Sequence, residues 1–261
     1  MQRITSRHNT LVVQYRDVAR GDHPDLMLLD GAHLVGDALG SGVRLRHLAV
    51  GVEAATDSEI EPLVARALER RVDVALASAP VMAALSPVRS PSRIVALAER
   101  PSGEARLFGT AHAVVLVACD VQDPGNLGAM ARVAESAGAS GLVAAGQSAD
   151  PFGWKALRGS MGSALRLPIV RRARVEEAIA LARDRGCRVL AAVPRGGRSV
   201  FGADLAGRVA ILVGGEGPGL SATTVALADD RLTIPMQAPV ESLNAAVTAA
   251  LIVYEARRQR G

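Results

Sequence analysis

Val209-Ala210-Ile211-Leu212-Val213 runs directly into Gly214-Gly215-Glu216-Gly217-Pro218-Gly219, and Ser221 then leads a further patterned segment. Five apolar residues closed by glycines read as a buried strand, followed by a loop that lets a ligand approach the backbone. Where this loop falls matters more than what it contains. A dinucleotide fold places Gly-x-Gly-x-x-Gly at its first strand-to-helix turn. Here the spacing differs, and the 42 residues after Gly219 are too few for the rest of such a fold. A doubly wound methyltransferase, which also has its glycine loop after the first strand, fails for the same reason. A P-loop needs Gly-Lys-Ser/Thr, and the only lysine, Lys155, lies elsewhere. The loop belongs to an α/β protein whose ligand is held late in the chain.

The same alternation of strand and helix patterns extends back from this loop to the start of the chain. Up to residue 100, strands are expected at 26–29, 45–50, 72–77 and 94–98, with helices near 32–39, 58–71 and 80–85. Beyond it, strands are expected at 113–119, 141–145, 187–193, 209–213 and 232–235, with helices at 127–137, 175–185, 221–228 and 242–259. The turn-rich stretch Arg100-Pro101-Ser102-Gly103-Glu104 separates the two regions. Two α/β domains are expected, residues 1–100 and 110–261, joined by a linker at 101–109. Uninterrupted apolar strands such as Val114-Val115-Leu116-Val117 imply a mostly parallel sheet covered on both faces.

Charge and composition narrow the function classes. Of 30 basic residues among 261, only Lys155 is not arginine, and arginine suits bidentate contact with phosphate. The net charge of +4 is uneven: residues 1–20 are basic, residues 21–110 net acidic, and 154–174 hold six cations and no acid. Arg3, Arg7, Arg16, Lys155 and Arg158 are therefore the candidate phosphate contacts, should a nucleic acid such as RNA be bound. Six scattered aromatics cannot build a base-stacking platform, so any nucleic acid is held by charge and shape. Cys119 and Cys187 sit in apolar runs and read as buried thiols. The five histidines have no metal-ligand spacing, and no metal is expected. The longest apolar run near the C-terminus, Ala245 to Val253, is short of the ~18 residues of a membrane span, and no signal segment opens the chain. A cytoplasmic location without a membrane partner is expected.

Two more segments pack polar residues into sharp turns. Asp120-Val121-Gln122-Asp123-Pro124-Gly125-Asn126 leaves the strand at 113–119 and enters a helix, with Asn126 as its expected N-cap and Arg132 two turns along. Ile234-Pro235-Met236-Gln237-Ala238-Pro239-Val240-Glu241-Ser242-Leu243-Asn244 leads into the closing helix, with Ser242 as its expected N-cap.

Together with Leu212 to Leu220, these segments resemble the three signature motifs of the SpoU (TrmH-like) family of RNA ribose 2′-O-methyltransferases. The matching residues are Asp123-Pro-Gly-Asn-Leu-Gly with Arg132 and Ala137-Gly138-Ala139, then Leu212-Val-Gly-Gly-Glu-Gly-Pro-Gly-Leu, then Ile234-Pro-Met with Val240-Glu-Ser-Leu-Asn244. Residues 1–100 resemble, less closely, the ribosomal-protein-like substrate-binding domain that precedes the catalytic domain in many members. The pattern departs at Asp30-Gly31, where the family has Glu-Gly, and at Pro239. The resemblance implies a C-terminal trefoil-knotted, mostly parallel sheet of the SPOUT type, S-adenosylmethionine as cofactor, and a homodimer. It implies cofactor contacts at Gly214, Ile234, Met236, Ser242 and Leu243. It also points to Arg132, with Asn126 nearby, as acting on the reacting hydroxyl, either as the base or as its electrostatic stabiliser. Glu216 and Asn244, the other polar residues of the motifs, complete the expected catalytic set, Glu216 ordering the glycine loop and Asn244 orienting Arg132 or the ribose. The expected reaction is methylation of a ribose 2′-OH in 23S ribosomal RNA, with tRNA as the alternative substrate. A non-catalytic RNA-binding or ribosome-assembly protein is the reading from another class.

Overall fold

Short apolar runs punctuated by Gly, Ser and Pro fold into alternating strands and helices throughout residues 1–261, all of which are described by the computed structural model. The first part has β1 (Gln2–Ile4), α1 (Thr10–Arg20), β2 (Leu26–Asp30), α2 (Ala32–Ser41), β3 (Leu45–Gly51), α3 (Glu61–Glu69), β4 (Asp73–Ala77), α4 (Ala79–Leu85) and β5 (Ile94–Glu99). Then come β6 (Val114–Cys119), α5 (Pro124–Ser136), β7 (Gly141–Ala145), α6 (Trp154–Ser160), α7 (Ser163–Arg166), β8 (Ile169–Arg172), α8 (Val175–Asp184) and β9 (Arg188–Ala192). The chain closes with β10 (Arg198–Ser199), β11 (Val209–Gly214), α9 (Ala222–Ala226), β12 (Asp230–Thr233) and α10 (Ala245–Arg258).

One unit comprises Met1–Pro101 with Phe152–Leu165. Its sheet has the order β1-β4-β3-β5-β2, with β5 antiparallel to both neighbours and β1 and β3 parallel to β4. The N-terminal segment forms α1, capped by Asn9 at 2.9 Å from the Leu11 amide and ended by Gly21 at φ +88°. Val12, Tyr15 and Val18 recur three apart on the buried side of α1. They pack with Ile4, Val81, Met82 and Leu85, and Trp154 of α6 lies against the same cluster. That burial, with the Arg100 guanidinium 5.8 Å from the centre of the Phe152 ring, groups Phe152–Leu165 with residues otherwise 50 or more positions earlier. Composition at 101–109 gave no sign of this segment. Asp30 is buried and accepts hydrogen bonds from Ser86 (2.7 Å) and Ser92, which pins the Asp30-Gly31 turn.

The other unit comprises Ser102–Pro151 and Arg166–Gly261. Its seven strands are all parallel, in the order β10-β12-β9-β11-β6-β7-β8. Every residue of β6 is buried, as a sheet covered on both faces requires. Val115, Val117 and Cys119 pack with Ala178, Ile179 and Ala182 of α8, while α5 and α10 pack on each other and reach β7, β6 and β11. The two cysteines are free and buried, and burial pushes the Cys119 thiol up to about 12, which keeps it unreactive.

Strand order fixes the site. From β6 the chain winds outward to β7 and β8, then returns on the other side, so β11 pairs with β6 in register from Val209 opposite Val114 to Gly214 opposite Cys119. The connections leaving β6 and β11 therefore emerge side by side at the carboxyl edge, where open α/β sheets bind ligands.

Candidate active site

The glycine loop after β11 is shaped by close approach. A Cβ on Gly214 would overlap the backbone of Gly219 and Leu220, and one on Gly215 would overlap the Asp120 carbonyl at the exit of β6. Gly215 donates to the Cys119 carbonyl at 2.9 Å and bridges to Gly219, so the loop folds back on itself. Gly217 and Gly219 lie in the left-handed region, at φ +84° and +66°, with open space where a side chain would stand. A ligand here meets bare backbone.

That backbone forms one wall of a cavity of about 370 Å³, within the ~300–1,000 Å³ range of small-molecule sites. Gly214, Ile234, Met236, Ser242 and Leu243 all line it, with Val213, Leu232 and Ile252 as further apolar wall. The five residues proposed from sequence for the cofactor thus lie around one space.

At its rim three side chains meet from motifs as far as 118 residues apart. Asn126 Nδ2 donates to Glu216 Oε1, and Asn244 Nδ2 donates to Asn126 Oδ1 at 2.9 Å and to Glu216 Oε1 at 3.5 Å. Asn244 also caps α10, its Oδ1 accepting from Ala246 (2.9 Å) and Val247 (3.3 Å). Two expected caps are corrected by these bonds. Ser242 is not the N-cap of the closing helix, because Asn244 holds that position and the helix starts at Ala245. Asn126 is not the N-cap of α5, because Asp123 accepts from the Asn126 amide at 2.7 Å and Pro124 opens the helix. Both side chains assigned to capping by spacing are free to face the cavity or its rim.

Arg132 stands apart from this network. It lies six residues beyond Asn126, which at ~100° per residue turns it well away from the Asn126 side of α5. It is exposed and makes no hydrogen bond or ion pair. Ser136, one turn on, accepts a hydrogen bond from Tyr254 of α10 at 3.2 Å. Beside it Val247, Leu251 and Tyr254 are 46%, 38% and 48% exposed, an apolar stripe on the outer side of α10. Leu243 precedes the helix and Ala250 is half-buried, so neither extends this stripe.

The five candidate RNA contacts all fall in the first unit. Arg3 is exposed on β1, and Arg7 and Arg16 donate to the Pro80 and Ala84 carbonyls at 3.1 and 3.4 Å. Lys155 and Arg158 are exposed on α6, with the Lys155 ammonium 5.5 Å from the Trp154 ring centre. No group of three or more His, Cys, Asp or Glu is placed to hold a metal ion, and no helix is long and apolar enough to cross a membrane.

A parallel sheet with its ligand cavity beneath the last strand-to-helix connections defines a class of α/β proteins separate from the dinucleotide folds. Within that class the chain belongs to the SpoU rRNA methylase family, which its residues 113–254 match, while residues 1–110 match the N-terminal domain of thiostrepton-resistance methylases. The chain is 32% identical to the 23S rRNA (guanosine(2553)-2′-O)-methyltransferase RlmP of Bacillus subtilis, over 88% of each chain. Its structure is similar to that of the SpoU methyltransferase AviRb of Streptomyces viridochromogenes in complex with AdoMet (TM-score 0.86, 27% identity, 97% of this chain and 98% of that one). It is also similar to an AdoMet-bound rRNA methyltransferase of Sinorhizobium meliloti (TM-score 0.85, 28% identity, 98% and 97%).

Proposed function

We propose that this protein transfers a methyl group from S-adenosylmethionine to a ribose 2′-OH of RNA, with 23S ribosomal RNA as its substrate. The observation that carries this reading is the joining of Asn126, Glu216 and Asn244 at the rim of a cavity walled by bare glycine backbone. The cavity fits the cofactor: apolar walls at Val213, Leu232, Ile234 and Ile252 suit an adenosine, and exposed backbone polar groups along Gly214–Gly219 suit its ribose and amino-acid ends. When bound, S-adenosylmethionine supplies an electrophilic methyl group on a sulfonium. Gly214, Ile234, Met236, Ser242 and Leu243 hold it.

The protein's own residues position and neutralise. Glu216, held by both amides, fixes the glycine loop against α5 and α10, so the rim does not reorganise when substrate enters. Asn126 and Asn244 orient the ribose. Arg132 presents a guanidinium with N–H donors and no acceptor, and no carboxylate pairs with it. Its role is to stabilise the oxygen that develops negative charge as the 2′-OH loses its proton to solvent. Arg3, Arg7, Arg16, Lys155 and Arg158 hold the RNA backbone.

A homodimer, a trefoil knot in residues 110–261 and a cytoplasmic location belong to the same reading. The exposed stripe Val247, Leu251 and Tyr254, beside the Arg132–Ser136 face, supports the dimer: a second copy seated there covers apolar surface and brings Arg132 under cover.

Calorimetric titration with S-adenosylmethionine, followed by mapping of 2′-O-methylation on 23S rRNA and tRNA treated with the protein, tests the proposal. Cofactor binding with one new methylated ribose in 23S rRNA is expected. Absence of cofactor binding overturns it in favour of a non-catalytic RNA-binding protein, and methylation confined to tRNA moves the substrate there.

A further inference from the structure

Four arginines from a region that is net acidic in sequence line a single groove. Arg44 precedes β3 and Arg46 lies within it, while Arg70 and Arg71 lie in the short connection from α3 to β4. β3 and β4 are parallel neighbours, with His47 opposite Asp73. The connections from α2 and α3 therefore arrive at the same edge of the sheet, on strands ~4.8 Å apart. The result is a groove of about 440 Å³ lined by all four arginines, with Asp73 as the only acid in its wall.

All four are exposed. Arg44 and Arg46 share one carboxylate oxygen, Glu99 Oε1, at 3.6 and 2.6 Å. Arg70 and Arg71 make no side-chain hydrogen bond or ion pair. Four cations thus face two carboxylates, and the excess positive charge is concentrated on the α3–β4 connection. A helix C-terminus attracts basic side chains, which accounts for Arg70 at the end of α3. It does not account for Arg46, inside a strand, nor for the backbone of Arg71.

Arg71 has φ +57°. Its amide bonds to the Leu68 carbonyl (2.9 Å) and the Val72 amide to that of Ala67 (3.0 Å), the paired bonds that close a helix on a left-handed residue. The same position after α1 is Gly21 and after α2 is Gly42. Glycine takes this conformation freely and an L-residue pays in strain. Two of these three helix ends open on the groove, α2 through Gly42 and α3 through Arg71, and the α3 end keeps a long cation in the strained conformation beside Arg44 and Arg46.

We propose that the groove is a phosphate-binding subsite for the backbone of the RNA substrate, built from elements other than those that carry Arg3, Arg7, Arg16, Lys155 and Arg158. Guanidinium groups at the entrances of two adjacent strands present paired donors to phosphodiester oxygens. This rests on the RNA reading above and extends its footprint to the β3–β4 edge.

The test uses the full chain, in vitro transcribed 23S rRNA and filter binding over about 50 to 200 mM salt. Two variants are compared with the parent, Arg70→Gln/Arg71→Gly and Arg44→Gln/Arg46→Gln. Each is expected to weaken RNA binding about tenfold and to lower the slope of log affinity against log salt by about 1.4, as for two lost phosphate contacts. S-adenosylmethionine affinity by calorimetry stays at the parent value. Parent-like affinity and slope in both variants, with the parent binding RNA normally, overturns the groove and leaves the methyltransferase reading intact. A parent that neither binds nor methylates RNA overturns both. Arg71→Gly relieves the left-handed strain, so the first variant is expected to fold; should it not, the strand-side pair decides the question alone.

Discussion

Asn244 carries two duties on one amide. Its oxygen caps α10, and its nitrogen ties Asn126 and Glu216 together. Replacing it by alanine removes both, and the lost cap costs about 1 kcal/mol. Asn244→Asp separates them: the carboxylate still caps the helix but donates nothing and sets a second negative charge against Glu216. The expected result is a melting temperature for the aspartate variant above that of the alanine variant, with methyl transfer reduced at least ~10-fold in both. Equal activity in the aspartate variant and the parent sinks the positioning role. Arg132 is tested by the converse pattern. Arg132→Ala is expected to lower turnover ~10²–10³-fold with S-adenosylmethionine affinity unchanged by calorimetry, and Arg132→Lys to recover part of the loss. The polar residues themselves were legible in sequence, because Asn126, Glu216 and Asn244 stand out in turns otherwise made of Gly and Pro. Their bonding was not. Spacing suggested caps at Asn126 and Ser242, but a cap is decided by which oxygen reaches a free amide, and Asp123 and Asn244 reach first.

The strands that organise the site, β6 and β11, are also the ones easiest to read: continuous apolar runs closed by glycine or Asp. β1, α1, α6, α7, β8 and β10 lie outside the elements expected from sequence. β1 is three residues long, α7 and β8 four and β10 two, too short for periodicity to register. α1 has Asn9 before it, Gly21 after it and Val12, Tyr15 and Val18 at helical spacing, so its signal was present but overshadowed by the arginines around it. α10 is the element whose two faces differ most in meaning. Ala245, Ala249, Ile252, Val253 and Ala256 face the core, and Val247, Leu251 and Tyr254 face outward. If a second copy covers the outward stripe, Leu251→Glu buries a carboxylate in an apolar contact and weakens self-association about 100-fold, roughly 2.7 kcal/mol. Sedimentation equilibrium checks this. A parent that is monomeric at tens of micromolar protein removes the dimer from the proposal.

Taken over its whole length, the protein spreads its charge differently from its sequence. The net acidic stretch 21–110 contains the groove of four arginines, because the fold gathers Arg44, Arg46, Arg70 and Arg71 at one sheet edge against only two carboxylates, Asp73 and Glu99. The edge of the first unit's core holds another group that only the fold makes unusual, the half-buried His47. His47 is packed against fully buried Tyr15, whose hydroxyl lies 2.9 Å from Nδ1. Burial pushes His47 down to about 4 from its ordinary 6.5, against a smaller upward pull from Asp73. The folded protein therefore refuses a proton that the unfolded chain accepts between pH 6.5 and 4. Stability is complete above that window and is lost as pH falls through it, by about 3 kcal/mol at its lower end. His47→Gln retains an acceptor for the Tyr15 hydroxyl and removes the titration. Melting temperatures measured from pH 7.5 to 4.5 are expected to fall roughly 10 °C further in the parent than in His47→Gln. The comparison between the two proteins cancels the carboxylates, which titrate alike in both. Parallel profiles would mean that His47 takes up its proton in the folded state at no cost, and that the Tyr15–His47 contact is not the source of acid sensitivity in the first unit.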